Sequence, residues 1–362
     1  MKKILLSLSL LLLLFGCSNN REKEEGQLPA DSSEQETVSA VIQPDIIADR
    51  LEIPWSINKT GNTFYISERT GRIVKIENGQ TERQEVKLEK QLASAEEAGL
   101  LGFMLDPDFS ETKKAFAYYT YEDKNGQYNR IIELVLQDGA WRERRVLLDQ
   151  IPSGPFHHGG RLEIGPDGKL YATAGDGAAN PETAQDPRSL GGKILRLNLD
   201  GSIPDDNPIS GSYTYSYGHR NPQGLAWSPD GTLYESEHGP SGHDEINLIK
   251  AGGNYGWPVI QGEEKKEGMT PPLFQSGEDT WAPSGMVYRN GKLYVATLRG
   301  NAVREFDLEK RTTREVVSGL GRIRDVFIDG NDLYFVSNNT DGRGTPDVDD
   351  DKLYKISLSD LK

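Results

Sequence analysis

Apolar residues along this chain fall in short alternating runs broken by polar turns. The runs are too brief for helices, and their period is two, which is the signature of strands half buried on one face. Ile73 and Lys75 alternate with Val74 and Ile76. Ile194 and Arg196 alternate with Leu195 and Leu197. A larger pattern repeats over this one. A Leu-Tyr-like or aromatic pair opens a strand, a polar turn follows, and a second alternating strand returns. It recurs at 63–79, 115–136, 169–201, 232–249, 292–308 and 332–358. Six instances over about 320 residues give about 53 residues each, the size of a four-stranded blade. The pattern therefore predicts an all-β chain built as a six-bladed β-propeller over 42–362. A β-sandwich would not produce a repeat of that length.

The stretch Tyr217–Pro258 illustrates one unit. Strands are predicted at Gly224–Ser228 and Thr232–Glu237, joined by Pro229-Asp230-Gly231. Pro presets φ and Gly accepts positive φ, so this tripeptide is a turn. His219, Arg220, Asn221 and Gln223 precede the first strand, and Glu237, His238, Gly239 and Pro240 end or follow the second. Polar groups gathered at strand ends are what a blade presents at one mouth of a propeller.

Composition narrows this picture. The chain has 362 residues, 39 of them glycine, and a formal net charge of −15. Many turns suit an all-β fold, and the negative charge makes nucleic acid and anionic membrane surfaces poor partners for the folded body. The single cysteine, Cys17, excludes an intramolecular disulfide. It closes a short segment with basic Lys2-Lys3 and an apolar run Ile4–Phe15. That run is shorter than the about 20 residues a spanning helix needs, and it reads as an export signal. The ending Leu14-Phe15-Gly16-Cys17 resembles the lipobox of bacterial lipoproteins. The resemblance implies a signal peptide at 1–16, a lipidated Cys17 and a protein held outside the cytoplasm by its lipid. Residues 17–41 are polar and rich in Glu, Ser and Gln, and predict a disordered tether.

Candidate chemistry lies at the strand ends. His157 opens His157-His158-Gly159-Gly160, a loop that lets a ligand approach the backbone and offers a base near neutral pH. Taken singly, such a histidine is more often a structural residue. Arg220, Arg299 and the pair Arg322 and Arg324 sit at strand ends or turns in different blades, and any one alone reads as a surface charge or an ion pair. Together, aimed at one axis, they suggest a small polyanion. The remaining histidines lack zinc spacing, and Asp347–Asp351 lacks an EF-hand pattern.

Six segments then carry a resemblance: HHGGRLEIGPDGKLYATAGDG, GGKILRLNLDGSIPDDNP, YGHRNPQGLAWSPDGTLYESEHGP, DEINLIKAGGNYGWP, WAPSGMVY and GRIRDV. Together they are similar to the soluble quinoprotein glucose/aldose sugar dehydrogenases, over about Ile47 to the end of the chain. The resemblance implies a six-bladed propeller using pyrroloquinoline quinone (PQQ) and Ca²⁺ to oxidise an aldose at C1. It implies that His157 is the base for the C1 hydroxyl while C1 passes hydride to the quinone, and that Arg220 polarises the quinone carbonyl. Asn221 matches the cofactor-contacting motif, with Gln223 in it or supporting the loop. Arg322 and Arg324 match the pair gripping the PQQ carboxylates. The carbonyls of Gly239 and Pro240 match ligands of the cofactor's Ca²⁺. Glu245 and Tyr255 resemble a second calcium site, with strand-end packing the equal alternative. Three positions depart from the glucose enzyme: Phe156 replaces an acid before the base, Glu97 replaces a sugar-contacting glutamine, and Arg299 replaces a cofactor-contacting lysine. The alternatives are a propeller binding a sugar or anion without redox chemistry, and a metal-dependent lactonase. The electron acceptor and the oligomeric state stay open.

Overall fold

The computed structural model describes residues 43–361; the export signal, Cys17 and the tether predicted at 17–41 lie outside the described residues. The regular structure of the described chain is almost entirely antiparallel sheet, and its longest α-helix is the single turn Phe109–Thr112. Four consecutive strands at a time form a meander. One set runs Pro54–Thr60, Thr63–Glu68, Arg72–Glu77 and Gln80–Lys87. The next runs Leu100–Leu105, Lys114–Asp123, Gly126–Gln137 and Ala140–Pro152. The last strands of these two sets pair in parallel at Val86↔Trp141 and Lys87↔Arg142, so they merge into one eight-stranded sheet. Three four-stranded sheets follow, beginning at Leu162–Ile164, Pro222–Trp227 and Pro283–Arg289. The final sheet takes Ile323–Asp329, Asp332–Ser337 and Leu353–Ser357 from the end of the described chain and Asp45–Ala48 from its beginning, paired at Asp45↔Lys355.

Burial is graded across each set. Thr63–Glu68 and Leu170–Ala174, second strands of their sets, are buried at every position. Gln80–Lys87, a fourth strand, is mostly exposed, and Thr312–Ser318, another, has a single buried residue. The six predicted repeats coincide with the second and third strands of the six sets, where apolar runs are densest.

First strands pack against the first strands of neighbouring sets, and Ile323–Asp329 returns to Pro54–Thr60. Their side chains bridge first strands that share no backbone ladder. Asn58 Nδ2 donates to the Phe103 carbonyl at 2.7 Å, and its Oδ1 accepts the Leu105 N–H at 3.0 Å. Asp325 Oδ2 accepts the Ile57 N–H at 2.7 Å. A side chain at Gly102 would put Cβ 2.1 Å from the Gly160 carbonyl, so glycine is what lets the strand Leu100–Leu105 meet the loop before Leu162–Ile164. Buried polar groups that are hydrogen-bonded in this way avoid the desolvation penalty of about 1–3 kcal/mol each.

Candidate active site

At one end of the first strands, loops from different sheets enclose a cleft of 510 Å³. His157, Arg220, Asn221, Gly239, Arg299, Arg322 and Arg324 all line it, so residues scattered over the sequence are brought together.

His157 sits before the strand Leu162–Ile164 in a left-handed conformation, φ 60°. Its Nδ1 lies 2.7 Å from Asp176 Oδ1, which places the ring proton on Nδ1 and leaves Nε2 as acceptor. Asp176 follows the strand Leu170–Ala174, in the neighbouring loop of the same sheet. It also accepts the Ala178 N–H at 2.7 Å and, through Oδ2, the Trp257 indole N–H at 2.8 Å. Burial pushes the Asp176 carboxyl pKa up, but His157 and these donors outweigh it and hold the group below its ordinary range. Trp257 continues the chain of contacts, with the Arg220 guanidinium 5.4 Å from its ring centroid. Base, carboxylate, indole and guanidinium form one connected wall. Sequence reasoning named its ends, His157 and Arg220. It missed Asp176 and Trp257, although both lie in quoted motifs, Gly-Asp-Gly and Tyr-Gly-Trp-Pro.

His158 is different. Its Nδ1 meets Ser153 Oγ at 3.0 Å, its Nε2 meets the Glu96 carbonyl at 3.2 Å, and burial lowers its pKa. It holds loops together. Asn221, 1% exposed, accepts the Gly159 N–H at 3.1 Å and so fixes the glycines after the base. Gln223 supports an arginine, accepting from Arg324 Nη1 at 2.7 Å.

The arginines divide into two kinds. Arg322 directs Nε and Nη2 to Asp341 Oδ2, at 3.1 and 2.7 Å, and Nη1 to the Leu298 carbonyl at 3.2 Å. Arg324, 5% exposed, has only neutral partners: Gln223, Ser284 and Asn338. Burial pulls its pKa down to about 9, which still leaves it charged at neutral pH. Arg220 donates Nη1 to the His238 carbonyl at 3.1 Å, and burial lowers its pKa too. Arg299 lies exposed in the turn after Lys292–Thr297. Among the described residues, the Nε atoms of Arg220 and Arg324, and Nε2 of His238, are buried without a hydrogen-bond partner. Buried orphan donors are rare in folded proteins and mark where acceptor atoms belong.

Across the cleft Glu97 accepts the His157 N–H at 3.2 Å and pairs with Arg343. Burial raises the Glu97 pKa, but Arg343 overcomes it and the carboxyl falls to about 2. Arg343 also meets Glu96 at 2.9 Å and lies 5.7 Å from the Phe156 ring centroid. Neither Arg343 nor Arg69, which also lines the cleft, stood out in the sequence.

Gly239 and Pro240 lie in the turn after Leu233–Glu237, and among the described residues their carbonyls accept no hydrogen bond. Beside them a smaller hollow is lined by Glu237, Glu245, Tyr255 and Trp257. The Tyr255 hydroxyl donates to the Leu248 carbonyl at 2.7 Å and accepts the Lys250 N–H at 2.8 Å, so its hydroxyl is engaged. Glu245 accepts the Gly262 N–H at 3.0 Å; burial, aided by Glu237, pushes its pKa up to about 8. Asn247 Nδ2 donates to Glu235, Glu237 and Glu245. His219, Glu235 and Glu237 are close enough to share a metal ion, a set that sequence reasoning did not find. His219 and Glu235 are buried and do not line the main cleft.

The sequence model of the family described as Glucose / Sorbosone dehydrogenase matches residues 51–349. Quinoprotein glucose dehydrogenase B of Acinetobacter calcoaceticus is 40% identical over 239 residues, 57% of this chain and 50% of that protein. The chain thus spans about half the length of that curated relative. Aldose sugar dehydrogenase YliI of Escherichia coli is 30% identical over 305 residues, 73% of this chain and 80% of that protein. Among solved structures, the PQQ-bound aldose sugar dehydrogenase of Streptomyces coelicolor superimposes with a TM-score of 0.81 at 35% identity, covering 86% of this chain and 96% of the other.

Proposed function

Because the chain belongs to the glucose/sorbosone dehydrogenase family, we propose that it is a PQQ- and Ca²⁺-dependent dehydrogenase that oxidises aldose sugars at C1 to lactones. The scaffold is read as a six-bladed propeller, with the eight-stranded sheet counted as two blades whose outer strands pair. The observation that carries the reading is the cleft itself. It joins a carboxylate-held histidine to several guanidiniums that have no carboxylate partner.

The residues present fit the cofactor. A planar quinone with three carboxylates supplies the acceptor oxygens that the orphan donors of Arg220 and Arg324 lack. Arg299, Arg322 and Arg324 would hold the carboxylates, with Arg220 and Asn221 at the quinone. The unengaged carbonyls of Gly239 and Pro240 suit the cofactor's Ca²⁺, which takes backbone oxygens readily. Glu245 and the Tyr255 backbone carbonyl would serve a second calcium ion. When bound, PQQ supplies a two-electron acceptor.

The chain's own residues do the rest. His157 Nε2 takes the proton from the C1 hydroxyl as C1 is oxidised. Asp176 keeps the imidazole in the tautomer that can accept it, and stabilises the imidazolium formed. Arg220 places positive charge where negative charge develops. Phe156 offers no acceptor to a sugar hydroxyl, so discrimination among aldoses should be broad and KM high. An external electron acceptor completes the cycle. The buried His219–Glu235–Glu237 set does not favour a lactonase, because it stands apart from the main cleft. Export and a lipid anchor at Cys17 are part of the proposal; Cys17→Ser should release active protein, and retention after a carbonate wash would argue against the anchor.

The decisive experiment adds PQQ and Ca²⁺ to purified apo-protein. Binding should give a quinone absorbance that bleaches with several aldoses. No PQQ binding would favour a propeller that binds a ligand without redox chemistry.

A further inference from the structure

Six guanidiniums line the cleft: Arg69, Arg220, Arg299, Arg322, Arg324 and Arg343. Arg322 is paired with Asp341, and Arg343 with Glu96 and Glu97. Arg220, Arg299 and Arg324 have roles in the function proposed above. Arg69 has none, and among the described residues its side chain makes no hydrogen bond or ion pair.

Its placement is built. Arg69 follows the strand Thr63–Glu68. Its N–H donates to the Ile53 carbonyl and its carbonyl accepts the Leu100 N–H, both at 3.1 Å. The stem of the side chain crosses Gly99. A Cβ there would lie 2.7 Å from Arg69 Cγ and 2.3 Å from Arg69 O, and Gly99 holds φ +138°. Only glycine leaves this route open. The acids in electrostatic reach, Asp341 and Glu97, are the two already taken by Arg322 and Arg343. Partial burial, which lowers the pKa of Arg69, leaves a cation with little water and no counter-charge of its own.

We propose that Arg69 is an anion-binding residue of this cleft, receiving a carboxylate or phosphate group in the fork of its guanidinium. Uncharged Phe156 stands in the same cleft beside His157, with Arg343 next to it, and the carboxylate there, Glu97, is paired with Arg343, which limits the repulsion an acidic sugar would meet. The anion has two sources of the same chemistry: a carboxylate of the cofactor, or an acidic substituent on the aldose, as in a uronic acid or a sugar phosphate. The inference rests on the sugar-dehydrogenase reading of the cleft, but its test does not depend on turnover alone.

The experiment compares the parent with Arg69→Gln and Arg69→Lys. PQQ binding to apo-protein is measured by fluorescence titration. At saturating PQQ, kcat/KM is then measured for glucose and glucuronate. Losing a charge-assisted contact of this kind weakens binding about 10- to 100-fold. A PQQ affinity that falls by that factor in Arg69→Gln and partly recovers in Arg69→Lys, with an unchanged glucuronate-to-glucose ratio, assigns the anion to the cofactor. An unchanged PQQ affinity with a ratio that falls about 10- to 100-fold assigns it to the substrate. If both stay at parental values in Arg69→Gln with a parental melting curve, the proposal is overturned. If the parent binds no PQQ, the dehydrogenase reading fails instead. Arg69 is then judged by thermal stabilisation with benzene-1,3,5-tricarboxylate, which Arg69→Gln must lose for the proposal to stand. Should Arg69→Gln fail to fold, Arg69→Lys carries the same comparisons, and parental behaviour in both overturns the assignment.

Discussion

The wall of the cleft that carries His157 and the floor that carries Arg324 are organised in opposite ways. On the wall, each group holds the next: Asp176 orients His157, Trp257 orients Asp176, and Arg220 lies over Trp257. On the floor, a buried guanidinium is surrounded by an amide, a hydroxyl and another amide, none of them charged. The wall can reach its working geometry with the cleft empty. The floor keeps a charge whose full compensation must arrive with a ligand. Proton transfer requires alignment before the encounter, whereas recognition gains from charge left unsatisfied until then.

Five variants would break or sharpen that contrast. His157→Ala should lower kcat by about 10²–10⁴ while leaving PQQ affinity nearly intact; turnover like the parent at saturating PQQ would remove the base from the mechanism. Arg322→Met comes next, and its effect should fall on the fold. Asp341, whose side chain is 2% exposed, would be left buried and unpaired, so apo-protein should lose about 3–5 kcal/mol in urea unfolding. Arg324, two residues on and inside the strand Ile323–Asp329, should behave otherwise. Arg324→Met should weaken PQQ binding by about 2–3 kcal/mol and change apo stability less than Arg322→Met does, since no carboxylate is stranded. Equal destabilisation by the two would erase the distinction between paired and waiting cations. Trp257→Phe deletes one donor to Asp176 and should reduce kcat several-fold, about 1 kcal/mol, with KM little altered. The smallest effect concerns acid. Glu97 titrates at about 2 in the folded protein against 4.5 ordinarily, so between those values the unfolded chain binds more protons. Stability should decline as pH falls through that window, by about 1–2 kcal/mol after solvent screening, and Glu97→Gln should flatten that decline. An unaltered acid limb would show that the Glu97–Arg343 pair adds nothing.

The hydrophobic pattern made the middle of every sheet legible. Runs such as Phe64-Tyr65-Ile66 and Leu170-Tyr171-Ala172 are buried on both faces and announce strands. First strands were harder to read. Ser56, Asn58, Gln223, Arg324 and Asp325 are buried there and polar, because they bridge sheets or face the cleft. No periodicity reports that. His157 and the arginines were legible through their motifs and loop positions. Asp176 was not, because an aspartate between two glycines looks like any turn until its neighbour is seen to be an imidazole. Arg69 and Arg343 were hidden for another reason. Glu97 stands 246 positions from the arginine it pairs with, and nothing local in either segment encodes the meeting.

The strand Asp45–Ala48 has a consequence in time. Its partner, Leu353–Ser357, is among the last strands of the described chain to be made. The final sheet therefore stays incomplete until the end of the described chain has been synthesised, with Asp45–Ala48 lacking its ladder partner meanwhile. A join between such distant segments is slow to find and leaves an adhesive edge exposed. Under the export proposed above, the delay would be useful, since Asp45–Ala48 cannot lock into its sheet before Leu353–Ser357 has followed.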